Sequence, residues 1–214
     1  MKKLFALCLA LVLVLCGCAE TPAEPAVTTE PMETTEASAT PVGTLYVSFG
    51  ATLELVYDET GAALEINGTN EIGKQLAEAK QDQLGKGCVY VLRSVFRYAI
   101  EQDLLGDAKT TAFRIGKDDP LPTEDFLTVI GQDCQYLLDE EVTHIGMYEL
   151  SGDKLDADGN LTFDTAKLLA TKYLGADAQG DETPADGVYT FTAEEKSCTV
   201  DVFTGLVVGI SVEK

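Results

Sequence analysis

The stretch LVLVLCGCAE, Leu11 to Glu20, ends a short apolar run in two cysteines with only Gly17 between them. It constrains the fold more than any other feature, because different physical regimes meet at Cys18. Before it, Met1, Lys2 and Lys3 lead into the apolar run Leu4 to Leu15. About a dozen residues reach roughly 18 Å as a helix, against a hydrocarbon core roughly 30 Å thick. The run is too short to span a bilayer, and a basic start, a short apolar stretch and then small residues describe a secretory signal. After Cys18, the segment Ala19 to Pro41 holds four Pro, six Thr and five Glu, with no Lys, Arg or aromatic residue. That composition buries too little apolar surface to offset backbone ordering. It predicts a tether extended by proline and like charge, reaching up to about 70 Å at roughly 3.1 Å per residue.

The sequence Leu15-Cys16-Gly17-Cys18 resembles the lipobox of bacterial lipoproteins, with an aliphatic residue three before, and a small residue directly before, the modified cysteine. Cys18 fits this pattern; Cys16, preceded by Leu15, does not. The resemblance implies a signal over residues 1–17 and a diacylglyceryl group on Cys18. At about 0.8 kcal/mol per buried methylene, two acyl chains hold a soluble domain on a membrane where one does not. The expected location is the outer face of a bacterial cytoplasmic membrane, with the chain anchored rather than inserted.

Composition narrows the partners. A chain of 214 residues with 45% hydrophobic residues can build one large or two small cores. Beyond residue 17 it carries 13 basic against 36 acidic residues. This argues against nucleic acid and against electrostatic adsorption to an anionic membrane, both of which require a basic face.

From Leu45 the pattern changes. Leu45, Val47 and Phe49 alternate, then Leu53, Leu55 and Tyr57 with Val56 interrupting, and DETG supplies a turn before AALEI. Two or three short antiparallel strands are expected. Ile72, Leu76 and Ala79 are helically spaced, as are Cys88, Val91, Leu92, Val95, Phe96, Ala99 and Ile100, with Gly106 as the expected stop. A strand KTTAFRIG precedes a helix whose expected cap is Thr123 and whose apolar stripe is Phe126, Leu127, Ile130, Cys134, Leu137 and Leu138. The strands LYVSFGATLELVYDETGAAL, the element Asn70-Glu71-Ile72-Gly73 and the helix after GKG resemble the extracytoplasmic middle domain of RsgI-type anti-sigma factors. The Asn-Pro step at which members of that family are thought to cleave themselves is occupied here by Phe49-Gly50. Self-cleavage is therefore not implied, and sigma-factor binding is not expected either, since the sequence shows no cytoplasmic segment or spanning helix to carry it.

The C-terminal part reads as a helix with Thr162 as cap and Phe163, Ala166, Leu169, Ala170 and Tyr173 on one face, then three alternating strands. Helix, strands and VDVFTGLV resemble the PepSY-like family, whose repeat ends in an aspartate, two residues and Thr-Gly; Asp201, Thr204 and Gly205 match. Locally these are turn residues, an acceptor for the following amides and a glycine free to take positive φ. The expected organisation is α+β: two small antiparallel-sheet-plus-helix domains, an RsgI-like one over 44–151 and a PepSY-like one over 152–214, after the signal 1–17 and the lipidated tether 18–43.

The chemistry-bearing residues form no catalytic set. His144 is the sole histidine, with no Ser or Cys motif beside it. Cys88, Cys134 and Cys198 lack metal-ligand spacing; Cys88 and Cys134, on two buried stripes, read as small apolar packing residues or as a disulfide pair. DKLDADGNLTFDT lacks the terminal acids of a calcium loop, having Lys154 and Thr165 there, and reads as a turn. No catalytic, cofactor or metal residues are assigned. The expected role is non-catalytic binding, sensing or regulation at the cell envelope, with an envelope protein or peptide as ligand. The PepSY-like resemblance implies the alternative of an inhibitor of, or chaperone for, an extracellular peptidase.

Overall fold

The alternating N-terminal segment forms a meander of β1 (Gly43–Ser48), β2 (Thr52–Tyr57) and β3 (Ala63–Gly68). The computed structural model describes residues 39–141 and 145–212. Leu45, Val47, Leu53, Leu55 and Tyr57 are all fully buried on one face. Val56 does not break the alternation. The irregularity lies in β3, where Val56 pairs with Glu65 and Tyr57 with Ala63, leaving Leu64 as an extra residue. Helix α1 (Glu71–Ala79) is capped by Asn70, whose Oδ1 accepts from the Gly73 amide at 2.8 Å. The same oxygen accepts from Thr52 N at 3.1 Å, and Asn70 Nδ2 donates to the Gly50 carbonyl at 2.8 Å. The Asn-x-x-Gly element is thus a clamp on the β1–β2 loop, and Gly73 is required because a Cβ there would overlap the Thr52 carbonyl.

Helix α2 (Cys88–Glu101) buries the expected face, but Gly106 does not end it. Gln102 is the cap and Asp103 takes the left-handed conformation, φ 54°. The Asp103 amide donates to the Ile100 carbonyl at 3.1 Å and the Leu104 amide to that of Ala99 at 2.8 Å. This is a Schellman ending with aspartate where glycine is usual, a place Asp tolerates because its short polar side chain bonds locally. Strand β4 (Thr110–Ile115) follows, then α3 (Phe126–Glu141) and β5 (Gly146–Glu149). Thr123 stands two residues before the cap position of α3: its hydroxyl donates to Asp125 Oδ1 at 2.7 Å and its carbonyl accepts from Phe126 N at 3.2 Å.

The first sheet has the order β3-β2-β1-β4-β5, antiparallel except that β5 joins β4 in parallel. The helical crossover through α3 accounts for that departure from an all-antiparallel sheet. The second sheet, β6 (Gln179–Gly180), β7 (Val188–Ala193), β8 (Lys196–Asp201) and β9 (Val207–Val212), is antiparallel in that order. Helix α4 (Phe163–Leu174), capped by Thr162, packs on β7 and β8 through Ala166, Leu169 and Ala170. The fold class is α+β with two sheet-plus-helix regions.

The two regions have separate cores, and β4 serves both. Phe113 belongs to the first core, with Val47 opposite it. Ala112, on the other face opposite Ser48, belongs to the second core with Leu150, Leu169 and Phe191. The second core draws Ala112 and Leu150 from before the boundary expected near residue 152, and Ser38–Lys214 forms one compact unit.

The turn after β8 docks onto β4. Asp201 Oδ1 accepts from the Phe203 amide at 3.0 Å, the Thr204 amide at 2.7 Å and the Thr204 hydroxyl at 2.9 Å. Gly205 has φ 69°, and a Cβ there would lie 3.1 Å from both Leu150 Cδ1 and Leu169 Cδ1 and 3.2 Å from Ala112 Cβ. Gly205→Val should therefore cost about 2–5 kcal/mol, from strain plus overpacking, and lower Tm by roughly 10 °C. Gly85, also at positive φ (82°) but with open space around it, supplies the control: Gly85→Ala should cost about 1 kcal/mol. Equal losses in thermal unfolding would show that packing against β4 contributes nothing.

Candidate functional site

On the β4 face that meets the second region, Arg114 is almost wholly buried, at 1% exposure, and it pairs across from Tyr46. Its guanidinium donates to the Gly159 carbonyl and, at 3.3 Å, to the Phe203 carbonyl. It also lies 4.5 Å from the Phe203 ring centroid, and Phe203 packs edge-on against Tyr46 at 5.1 Å. Burial pushes the Arg114 pKa down from its ordinary value, with Tyr46 and Asp156 acting in the opposite sense; an arginine nevertheless stays charged at neutral pH. Two carbonyls and an aromatic face thus replace its hydration. The Asp156–Asn160 turn is held in reach by its own aspartate, whose Oδ1 accepts from Asp158 N and Asn160 N, both at 2.9 Å.

Beside this junction a cleft of about 270 Å³ opens between the two regions. The β1–β2 loop contributes Ser48 and Gly50, α1 contributes Ile72, and the α2–β4 connection contributes Leu104 to Ala108. Tyr173 of α4 and Val207 and Ile210 of β9 complete it from the second region. Tyr173 is fixed by the Lys109 amide, which donates to its hydroxyl at 3.0 Å. The ionisable lining groups are Asp107 and Tyr173. The Ser48 hydroxyl, 97% buried by a residue exposure of 3%, has no hydrogen-bond partner among the described residues. An apolar wall with a spare hydroxyl suits recognition of a partly apolar ligand.

The sequence-assigned residues are dispersed. Cys18 and His144 lie outside the described residues. Asp201, Thr204 and Gly205 form the turn that meets β4, one side of which lines the cleft. Cys88 and Cys134 are not a disulfide; each is a free, buried thiol, as is Cys198. The helix register explains this. Arg93 of α2 pairs with Asp133 of α3, setting Cys134 level with Arg93, while Cys88 stands five residues earlier, about 7.5 Å along the axis. Cys88 instead packs beside Tyr57 and Asp58. Arg114 and Ser48 were not singled out from sequence; no local pattern distinguishes a strand arginine that is buried from one that is solvated.

No protein-family model matches the chain, and no curated protein matches it. Among the described residues no helix is long and apolar enough to cross a membrane, and no group of three or more His, Cys, Asp or Glu converges to hold a metal ion.

Burial pushes the thiols of Cys88 and Cys134 up to about 12 and that of Cys198 up to about 11, from an ordinary 9.0. Tyr57 is likewise pushed up to about 12 by burial and by Asp119. In each case the folded chain keeps its proton longer than the unfolded chain. The stability these groups contribute is full below about pH 9 and falls as pH rises toward about 12. Urea unfolding at about pH 8 and about pH 10.5 should show that fall, with a shallower pH slope in Cys134→Ala. Iodoacetamide at neutral pH should leave all three thiols unmodified until denaturant is added; rapid labelling of Cys88 or Cys134 in the native chain would contradict the packing.

Proposed function

We propose that this protein is a membrane-anchored extracytoplasmic lipoprotein whose folded part is a non-catalytic binding or sensing module, with the inter-region cleft as its ligand site. The observation that carries the binding site is the cleft's lining: apolar side chains from both regions, one tyrosine fixed in place and one buried hydroxyl without a partner. Leu15-Cys16-Gly17-Cys18 supports the anchor, and the Thr, Pro and Glu tether supports presentation of the domain away from the membrane. The RsgI-like and PepSY-like resemblances support an envelope role. The ligand expected from this reading is an envelope protein or a peptide, and no cofactor enters it.

Two experiments test the two halves of the reading. Labelled palmitate should enter the wild-type chain and Cys16→Ala but not Cys18→Ala, and a mature N-terminus elsewhere than Cys18 would contradict the anchor. For the site, the photoreactive residue p-benzoylphenylalanine placed at Tyr173 in the living cell should give a discrete protein or peptide adduct. The same residue at Tyr136, exposed on α3 at 65%, should not. Equal adducts from both positions, or none from Tyr173, would contradict the site, and an adduct with an extracellular peptidase would favour the inhibitor or chaperone alternative.

A further inference from the structure

The second sheet has one polar and one apolar face, and its single helix does not cover all of the apolar one. Thr190, Thr192, Ser197, Thr199, Gly209 and Ser211 occupy the polar face. On the other face α4 packs on β7 and β8. A helix is about 10 Å across and strands are spaced by about 4.8 Å, so one helix spans roughly two strands. Strand β9 is the least covered: α4 touches it and Val207 packs against the second core, but the rest of the strand is exposed. Ile210 pairs with the buried Cys198 and therefore shares its face, and alternation puts Val212 on that face too; Val208 is an extra residue in a bulge, because Thr199 pairs with Gly209 and Val200 with Val207. Yet Ile210 and Val212 are 49% and 60% exposed.

β9 is also an edge strand: its second edge pairs with no strand among the described residues. Edge strands are ordinarily blunted by a charge, a proline or a bulge. The six residues of β9, VVGISV, contain no charge and no proline, and the one bulge, at Val208, leaves Gly209 to Val212 in regular register. Ile210 lines the cleft as well, so the open edge adjoins it.

We propose that β9 receives an extended peptide as a fifth strand of the second sheet, with apolar side chains at alternate positions and basic residues between them. This rests on the binding-module reading and names the ligand class for the same site. Backbone pairing along β9 supplies affinity, and Ile210 and Val212 select apolar residues two apart. The chain's net charge of −21 favours a basic over an acidic partner. The same charge opposes pairing with a second copy. The chain's own tether is a poor occupant, since its four prolines withhold ladder donors and its five glutamates repel an acidic domain.

The full chain in phosphatidylcholine nanodiscs tests this, with empty nanodiscs as blank. The probe is a fluorescent peptide of about seven alternating Val and Lys residues; its control carries Pro at two central positions. The alternating peptide should bind at least about tenfold more tightly than the control, slow amide exchange over residues 207–212, and lose about tenfold in affinity on Ile210→Lys. Half-exposed Ile210 tolerates that change, and an unchanged Tm verifies folding. Equal binding of both peptides, or binding insensitive to Ile210→Lys, overturns the strand-addition proposal. A Tyr173 adduct in cells alongside that result leaves the cleft standing as the site. Concentration-dependent dimers abolished by Ile210→Lys would assign β9 to a second copy and overturn the peptide.

Discussion

The junction at β4 depends on a buried guanidinium. Arg114 gives up its hydration to donate to carbonyls on two separate turns, at Gly159 and Phe203, and to lie against the Phe203 ring. A buried charge without such partners is costly, so the turns and the arginine hold one another in place. Ala112, two residues away on the same face, receives Gly205 so closely that a Cβ there would lie 3.2 Å from its own Cβ. Phe113, on the opposite face, anchors the first core. A single six-residue strand therefore fixes where both regions meet.

The cleft follows from how that junction is made. Contact is concentrated at Arg114, Ala112 and the Asp201–Gly205 turn, and the surfaces diverge toward Ser48 and the Leu104–Ala108 connection. A binding role proposed for this surface requires no moving part: the aspartate-bonded turns and the Tyr173 hydrogen bond already define its walls.

Much of the architecture was legible because periodicity and caps are local signals. The stripes of α2, α3 and α4, the cap Thr162, and the Asp201 turn depend on residues within a few positions of one another. One miss was local, and the rest were settled by distant contacts. Asp103 rather than Gly106 ends α2, since the Schellman bonds require a left-handed residue at one fixed distance from Ala99. Cys88 and Cys134 read from sequence as packing residues or as a pair, and the relative register of two helices, which neither stripe encodes, leaves them as free buried thiols. Arg114 reads as an ordinary strand arginine until the turns more than forty residues away are brought over it, at sequence separations of 45 and 89. The uncovered strip on β9 was invisible for the same reason: alternation shows that a strand has an apolar face, not whether a helix reaches it.

Native-state amide exchange on the full chain carrying Arg114→Met tests most directly whether β4 couples the two regions. Methionine keeps much of the side-chain volume and leaves the Gly159 and Phe203 carbonyls without their donor, a loss of roughly 1–3 kcal/mol for each buried group. The account predicts that protection falls together in β1 and β2 of the first sheet and in β7 and β8 of the second. Protection lost over residues 152–212 alone, with residues 44–141 unchanged, would mean that the two cores are independent and that β4 does not join them.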